Sequence, residues 1–181
     1  MAIFLLVYLK SRGYANARVT AHLDPESDRL GSGYQIIQSR YAIGSGGLLG
    51  LGFGRSRQKY LYLPEGHNDY IFAIVCEELG FVGAVGVMIL FIMLILRGYW
   101  IAIHARDRFG TLVAAGFTTK LALQVFFNIG VVTNYLPSTG ISLPFFSYGG
   151  TALLLQMFEM GVVLSVSRWC VNKKALRRKP A

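Results

Sequence analysis

The residues most suited to chemistry lie between Tyr60 and Gly80, where a basic, glycine-rich stretch ends and an apolar one begins. Five titratable side chains crowd this boundary: Glu65, His67, Asp69, Glu77 and Glu78. A carboxylate is costly to desolvate, so acids placed where a helix enters hydrocarbon indicate a functional site. We therefore predict that this segment carries the chemistry, and proton transfer is a task for which carboxylates are suited.

The spacing of these acids predicts which of them act together. Glu65 lies four residues before Asp69 and shares its face if the segment is helical, where it either orients the site or favours the positive end of the helix. On the same helix Glu77 is about 80° from Asp69, and Glu78 points the opposite way. We expect Glu77 to line the same cavity as Asp69 and Glu78 to bond a neighbouring helix. His67 is expected to be a hydrogen-bonding residue, and without a second histidine or cysteine nearby a metal site lacks ligands.

Two further charges, Lys120 and Glu159, fall inside apolar segments. Each lies roughly 10–14 Å from the same edge of the membrane, in helices that run in opposite directions. Charges at matched depth are expected to pair inside a bundle rather than face lipid. A structural ion pair is therefore predicted, with a proton or ion relay as the alternative.

Composition places these residues in a membrane protein. Of the 181 residues, 54% are hydrophobic and 15% are charged, whereas about a quarter are charged in soluble domains. Three apolar segments are long enough to span a bilayer, at about 70–96, 111–132 and 148–166. An all-α integral membrane protein is predicted. Residues 1–9 are apolar but too short to span, and are interpreted as the end of a truncated transmembrane helix, with a short amphipathic anchor as the alternative.

Charge in the loops predicts the orientation of the spans. The short loop 97–110 and the tail 168–181 are basic, which is typical of cytoplasmic segments. The uncharged segment 133–147, expected to be a re-entrant loop tucked into protein, and the long loop 10–69 then lie outside. If the first membrane helix continues outward without interruption, Asp69 lies roughly 15 Å beyond the hydrocarbon, at the depth of lipid headgroups.

The net charge, the cysteines and the glycine-rich stretch limit the functions that the chain can have. The net charge of +9 comes from residues clustered in loops and tail, with no aromatic-interleaved motif, so nucleic acid is excluded as a partner. Cys76 and Cys170 are predicted to lie on opposite sides of the membrane, so they cannot form a disulfide with each other. The glycine-rich stretch 44–54 lacks a Gly-Lys-Ser/Thr ending, so its glycines are expected to permit close backbone packing rather than to hold phosphate. A short interfacial helix is expected over 34–43.

Three stretches carry a resemblance to a known family: GSGYQIIQS, YAIGSGGLLGLGFGRSRQKYLYLPEGHNDYIFAIVCEELGFVG and NIGVVTNYLPSTGISLPFFSYGG. They are similar to the C-terminal part of bacterial SEDS proteins, the FtsW/RodA/SpoVE family of peptidoglycan glycosyltransferases, and the division and sporulation branch is the better match. The resemblance implies a ten-helix fold in the inner membrane with its active site on the outer face. This chain would supply the end of the seventh helix, the large fourth extracellular loop and helices eight to ten.

The resemblance also implies a reaction. A sugar hydroxyl attacks the anomeric carbon of a second sugar held as a polyprenyl pyrophosphate, and pyrophosphate leaves, so that lipid II is polymerised. The family's essential aspartate corresponds to Asp69 within LPEGHNDY, where it would act as the base. Candidate cations for the pyrophosphate are Arg18, Arg40, Arg55, Arg57 and Lys59, of which Lys59 and Arg57 are the first choices. For each arginine, pairing with lipid headgroups is the alternative. Some members carry a functional lysine where Thr139 stands, so that role is not assigned here.

Partners and rival functions follow from the same resemblance. It implies a class B penicillin-binding protein and other division proteins as partners. The resemblance assigns no definite cofactor, and a divalent cation that bridges pyrophosphate and Asp69 is the candidate. The rival functions are a lipid II flippase, for which Lys120 and Glu159 would line a pathway, and a non-catalytic scaffold for division proteins.

Overall fold

The computed structural model describes residues 18–26, 32–56 and 69–170. Four long helices occupy these ranges: α1 (Ser32–Gly46), α2 (Ile71–His104), α3 (Arg108–Val132) and α4 (Gly150–Arg168). Residues 18–23 add a short helical segment, and the described ranges contain no strand. Helices α2, α3 and α4 are each long and apolar enough to cross a membrane. The predicted all-α membrane fold is thus confirmed.

Several predicted features lie outside the described residues. They are the apolar stretch 1–9, the side chains of Arg57, Lys59, Glu65 and His67, and the tail beyond Cys170. Of the long segment 10–69, the structure describes residues 18–26, 32–56 and Asp69. Their contribution to the site therefore stays a prediction.

The first membrane helix continues past the apolar stretch that predicted it. It ends at His104, and a three-residue connection leads into α3. Trp100 stacks on His104 in the last turn of α2, and the Asp107 carboxylate caps α3 by accepting a hydrogen bond from a backbone N–H of its first turn. The segment 97–110, predicted as a basic connection, is therefore mostly helical.

Helix α2 is broken at Gly80. Its backbone there has φ +68° and ψ −170°, a conformation open to glycine because glycine lacks a Cβ. In a continuous helix the N–H groups of the next two residues, Phe81 and Val82, would donate to the carbonyls of Glu77 and Glu78. The break separates these donors from these acceptors, and inside a membrane each group needs a partner from the protein.

The glycine-rich segment 46–52 supplies the missing partners. The Phe81 and Val82 N–H groups donate to the carbonyls of Gly47 and Leu48 (2.9 and 3.2 Å), and the carbonyls of Glu77 and Glu78 accept from the N–H groups of Leu51 and Gly52 (both 3.0 Å). The backbones approach so closely that a Cβ on Gly80 would lie 2.3 Å from the Gly50 nitrogen. The glycines therefore join the two parts of a broken membrane helix.

The larger of two hydrophobic clusters lies at the end of the bundle where α2 begins and α3 ends, here called the Asp69 end. It joins α1, α2, α3 and the segment after α3 through buried residues that include Ala42, Phe72, Val132 and Leu143. A smaller cluster near the opposite end joins the last turns of α2 to α3 and α4 around Ile101. Packing from four elements thus supports the Asp69 end, where the candidate site lies.

Candidate functional site

Asp69 occupies the turn immediately before α2. Its backbone carbonyl accepts a hydrogen bond from Asn128 Nδ2, at 2.7 Å, and the same nitrogen donates to the carbonyl of Ile141, at 2.8 Å. Asn128 lies one turn before the end of α3. The catalytic candidate is therefore tied both to α3 and to the segment that follows it.

Among the predicted cations that the structure describes, Arg18 is the one that lies beside Asp69. Its Nη1 donates to the carbonyl of Ser138, at 2.8 Å. A Cβ added to Gly140 would lie 3.5 Å from Asp69 Oδ2 and 3.8 Å from Arg18 Nη1, so the carboxylate and the guanidinium lie over the same glycine. Gly140 is exposed and the two charged residues are half-buried. A ligand arriving at Gly140 would meet an acid and a cation together.

The buried Tyr70 side chain interacts electrostatically with both Asp69 and Arg18. Burial raises the pKa of Tyr70 to about 12; the negative charge of Asp69 adds to this increase, and the Arg18 guanidinium opposes it. The side chain is 2% exposed, and its hydroxyl has no hydrogen-bond partner within the described ranges. The phenol therefore remains neutral at physiological pH.

The segment 133–149 forms the wall opposite Asp69. It leaves α3 in a tight turn, in which the N–H groups of Tyr135 and Leu136 both donate to the carbonyl of Gly130. Asn134 follows with φ +56°, and its Oδ1 accepts from His22 Nδ1 at 3.1 Å. Because His22 and Arg18 belong to the same short helical segment, residues 18–23 brace this wall at two points.

Glu77 and Glu78 are both buried in the turns of α2 that precede Gly80. Glu77 is 1% exposed, and its Oε2 accepts from the buried Ser56 hydroxyl at 2.5 Å. Glu78 is 8% exposed, and its Oε1 has no partner in the part of the chain described, where a bond to a neighbouring helix was expected. The predicted angle between Asp69 and Glu77 assumed that both acids lie on one helix. That assumption is wrong, because α2 starts at Ile71, after Asp69. The outward extension of Asp69 by roughly 15 Å assumed a helix continuous through residue 80, and the break at Gly80 overturns that assumption as well.

The other described cations lie on different elements. Arg40 is exposed on α1, and Arg55 is exposed where the glycine-rich segment ends, with its side chain beside Gly52. Within residues 18–26, 32–56 and 69–170, no three His, Cys, Asp or Glu side chains form a group that could hold a metal ion. Of the predicted cations in the described ranges, Arg18 is therefore the one placed to act together with Asp69.

The intramembrane charges meet between α3 and α4. Lys120 Nζ donates to Glu159 Oε1. The Lys120 side chain is half exposed along a groove on α3, whereas Glu159 is 7% exposed. The second carboxylate oxygen of Glu159 and the amide nitrogen of Gln156 are buried without a partner in the described residues. The structure thus joins the two residues in an ion pair, on a face with further polar atoms.

The sequence profile of the FtsW/RodA/SpoVE family, described as cell cycle proteins, matches residues 1–171. This chain belongs to that family. Stage V sporulation protein E of Bacillus subtilis (strain 168) is 54% identical over 159 residues, which are 88% of this chain and 43% of that relative. The probable peptidoglycan glycosyltransferase FtsW of Geobacter metallireducens is 44% identical over 91% of this chain and 44% of its own length. The peptidoglycan glycosyltransferase MrdB of Escherichia coli (strain K12) is 48% identical over 90% and 44%.

Solved structures agree with this membership. A peptidoglycan synthase complex, described as coordinating polymerization and crosslinking, contains a chain that matches 94% of this one with a TM-score of 0.68 and 34% identity. A mutant of the rod shape determining protein RodA of Thermus thermophilus matches 72% with a TM-score of 0.56 and 36% identity. The family member described here covers half or less of these two chains and less than half of its sequence relatives.

Three residues of the site were missed by the sequence reasoning: Tyr70, Asn128 and Gly140. Each stands inside a stretch that carries the family resemblance. An available signal was Asn128, because a carboxamide inside a membrane helix must find hydrogen-bond partners within the protein. Its partners are backbone carbonyls, which no side-chain pattern reveals.

Proposed function

We propose that this chain forms the catalytic face of a peptidoglycan glycosyltransferase that polymerises lipid II. The observation that carries the proposal is the meeting of Asp69 and Arg18 over Gly140, at one end of three membrane-length helices. A base and a cation at such a place suit a reaction between lipid-linked sugars. The names of the relatives FtsW and MrdB, both peptidoglycan glycosyltransferases, support the same activity.

In this mechanism Asp69 accepts the proton of the acceptor sugar's hydroxyl. The oxygen then attacks the anomeric carbon of the donor, whose bond to the pyrophosphate oxygen breaks, and the pyrophosphate departs with the bonding electrons. Arg18 stabilises the negative charge that develops on the leaving group, since a guanidinium can bind two phosphate oxygens at once. Exposed Gly140 leaves room for the sugar above the carboxylate. Lys59 and Arg57, which lie outside the described residues, are further candidates for the same phosphates.

We place the Asp69 end on the outer face of the bacterial inner membrane. Among the described residues, the opposite end carries the basic side chains of His104, Arg106, Arg108 and Arg168. Basic residues beside membrane helices favour the cytoplasm, which puts the long segment 10–69 outside and the tail 168–181 inside. A substrate such as lipid II would then reach Asp69 from the outer leaflet.

The partner we propose is a class B penicillin-binding protein, with other division proteins around it. The likeness to a synthase complex that coordinates polymerization and crosslinking supports a partner that crosslinks the new glycan. Helix α2 offers exposed apolar residues for contact with the membrane helix of such a partner, among them Leu90 and Met93.

The test uses the full-length polymerase that contains this chain, purified in detergent with lipid II. Changing Asp69→Asn removes the base but keeps the side-chain shape, so the rate of glycan polymerisation is expected to fall by about 10²-fold or more. Asp107→Asn is the matched control. It lies at the other end of the bundle, where asparagine also caps a helix, and is expected to retain the wild-type rate. Polymerisation at the normal rate by the Asp69→Asn enzyme would refute the proposal.

A lipid II flippase is the second candidate, favoured by the half-exposed Lys120 in the groove along α3. The same assay separates the two functions, because detergent micelles have no second side to which a lipid could be moved. A flippase would form no polymer in this assay, whereas a polymerase does. Flipping in vesicles that depends on Lys120, with no polymer in detergent, would decide for the transporter.

A further inference from the structure

We propose that Asn128 is the positioning residue of this site, which holds the main chain of Asp69 at a set distance from the loop that carries Gly140. The inference rests on the proposed role of Asp69 as the base. Asn128 is neither the proposed base nor the proposed cation, and the proposed mechanism gives it no part in the reaction.

The contacts of Asn128 are those of a clamp between two backbones. One nitrogen, Nδ2, donates both of its hydrogens, to the carbonyl of Asp69 at 2.7 Å and to that of Ile141 at 2.8 Å. The acceptors are 59 and 13 residues away in sequence, and the side chain is 1% exposed. A buried amide with both hydrogens committed cannot rotate without losing a bond, so it fixes both carbonyls.

Asp69 lies outside the regular part of α2, in the turn before it. Tyr70, at the N-cap of that helix, makes no side-chain capping bond, and its carbonyl accepts from the Ala73 N–H at 3.0 Å. The Asn128 bond therefore restrains the aspartate from the side of α3.

The second acceptor of Asn128, the Ile141 carbonyl, lies next in sequence to Gly140, over which Asp69 and Arg18 meet. Ile141 follows Gly140, whose φ of +75° turns the chain so that a Cβ there would lie 3.5 Å from Asp69 Oδ2. Two residues before Gly140, the Ser138 carbonyl accepts from Arg18 Nη1. Holding the Ile141 carbonyl thus sets the position of Gly140 relative to the carboxylate, and of the carbonyl to which the cation is bound.

The test measures kcat and KM for lipid II separately in the full-length polymerase. Asn128→Leu keeps the size of the side chain but removes both donors, and a displacement of a catalytic group by about 1 Å lowers the rate on the order of 10²-fold. We expect that loss in kcat with little change in KM. Gln124→Leu is the matched control: it removes a carboxamide one turn earlier on α3 and is expected to keep the wild-type kcat.

Asn128→Gln separates positioning from a merely structural need for an amide. The variant keeps the donors and so retains the fold, but moves them by one methylene, and kcat is expected to fall while the melting temperature stays near that of wild type. Wild-type kcat in Asn128→Gln overturns the inference, as does wild-type kcat in Asn128→Leu. The proposed function fails separately, by an Asp69→Asn enzyme that still polymerises.

Discussion

At the scale of single residues, the site depends on the positions of three side chains, those of Asp69, Arg18 and Asn128. The carboxylate of Asp69 and the guanidinium of Arg18 lie over Gly140, and Asn128 holds the backbone on both sides of that contact. Tyr70 contributes a buried hydroxyl whose pKa responds to the same two charges. It therefore offers a measurement of the site that does not require substrate.

The raised pKa of Tyr70 predicts an alkaline loss of stability. The folded protein holds the phenol proton up to about pH 12, whereas the unfolded chain releases it near 10. The contribution to stability is thus complete below pH 10 and is lost as the pH rises towards 12. The two-unit difference corresponds to at most about 3 kcal/mol.

Thermal unfolding in detergent, followed from neutral to strongly alkaline pH, measures this effect. The wild type is expected to lose more melting temperature above pH 10 than Tyr70→Phe. At neutral pH the two are expected to be nearly equal, because the Tyr70 hydroxyl has no hydrogen-bond partner in the described residues. Parallel alkaline curves for the two proteins would contradict the assignment of the shift to Tyr70.

At the scale of elements, the break at Gly80 gives α2 two separately held parts. The short part carries Glu77 and Glu78 and begins next to Asp69; the long part crosses the membrane. The segment 46–52 holds both through backbone hydrogen bonds. The orientation of the short part of α2, which begins next to Asp69, is therefore set by the segment 46–52 as well as by the helix itself.

Gly80→Ala tests this joint. The new Cβ would lie 2.3 Å from the Gly50 nitrogen and 2.6 Å from the Leu48 carbonyl oxygen, and alanine is disfavoured at φ +68°. The free energy of unfolding is expected to fall by about 2–5 kcal/mol. On the same helix, Gly86 has no atom within 4 Å of a Cβ position, so Gly86→Ala is the matched control and is expected to change stability by less than about 1 kcal/mol. Equal melting temperatures for the two variants would show that the joint is not rigid.

At the scale of the whole molecule, the ion pair between Lys120 and Glu159 joins α3 to α4 away from the Asp69 end. Removing one partner leaves an uncompensated charge, which costs about 3–5 kcal/mol when both groups are buried. The half exposure of Lys120 lowers that figure here. The pair is expected to favour correct packing of the helices rather than to take part in the transfer of sugars.

Exchanging the two charges tests this role. Lys120→Glu and Glu159→Lys are each expected to lower the amount of folded protein in membranes and its melting temperature in detergent. The double exchange is expected to restore most of both, because the pair can form with its partners reversed. If the double variant is as unstable as the less stable single variant, the two charges do not stabilise the fold by pairing with each other.

Prediction from sequence succeeded where the signal is carried by neighbouring residues. The three apolar segments and the Lys120–Glu159 pair could be named because length and depth in a helix are local properties. The catalytic role of Asp69, named from a compact motif, stays a prediction. The surroundings of Glu77 could not be predicted in this way. Its helical wheel was counted from Asp69, whereas α2 begins at Ile71, and the Ser56 hydroxyl donates to the carboxylate from a distant segment.

By itself, the sequence determined that this is a membrane protein of helices with an acid at the border of one of them. Apolar length sets the spans, since lipid accepts little else, and the motif around Asp69 needs no partner to be recognised. Only the tertiary structure decided that Arg18, among the predicted cations it describes, lies beside Asp69. It also decided that Asn128 bonds the Asp69 carbonyl and that the segment 46–52 holds α2 at its break. The hydrogen bonds of Arg18, Asn128 and the segment 46–52 all reach backbone groups far away in the chain. Because almost every residue carries the same backbone groups, these bonds leave no pattern in the sequence.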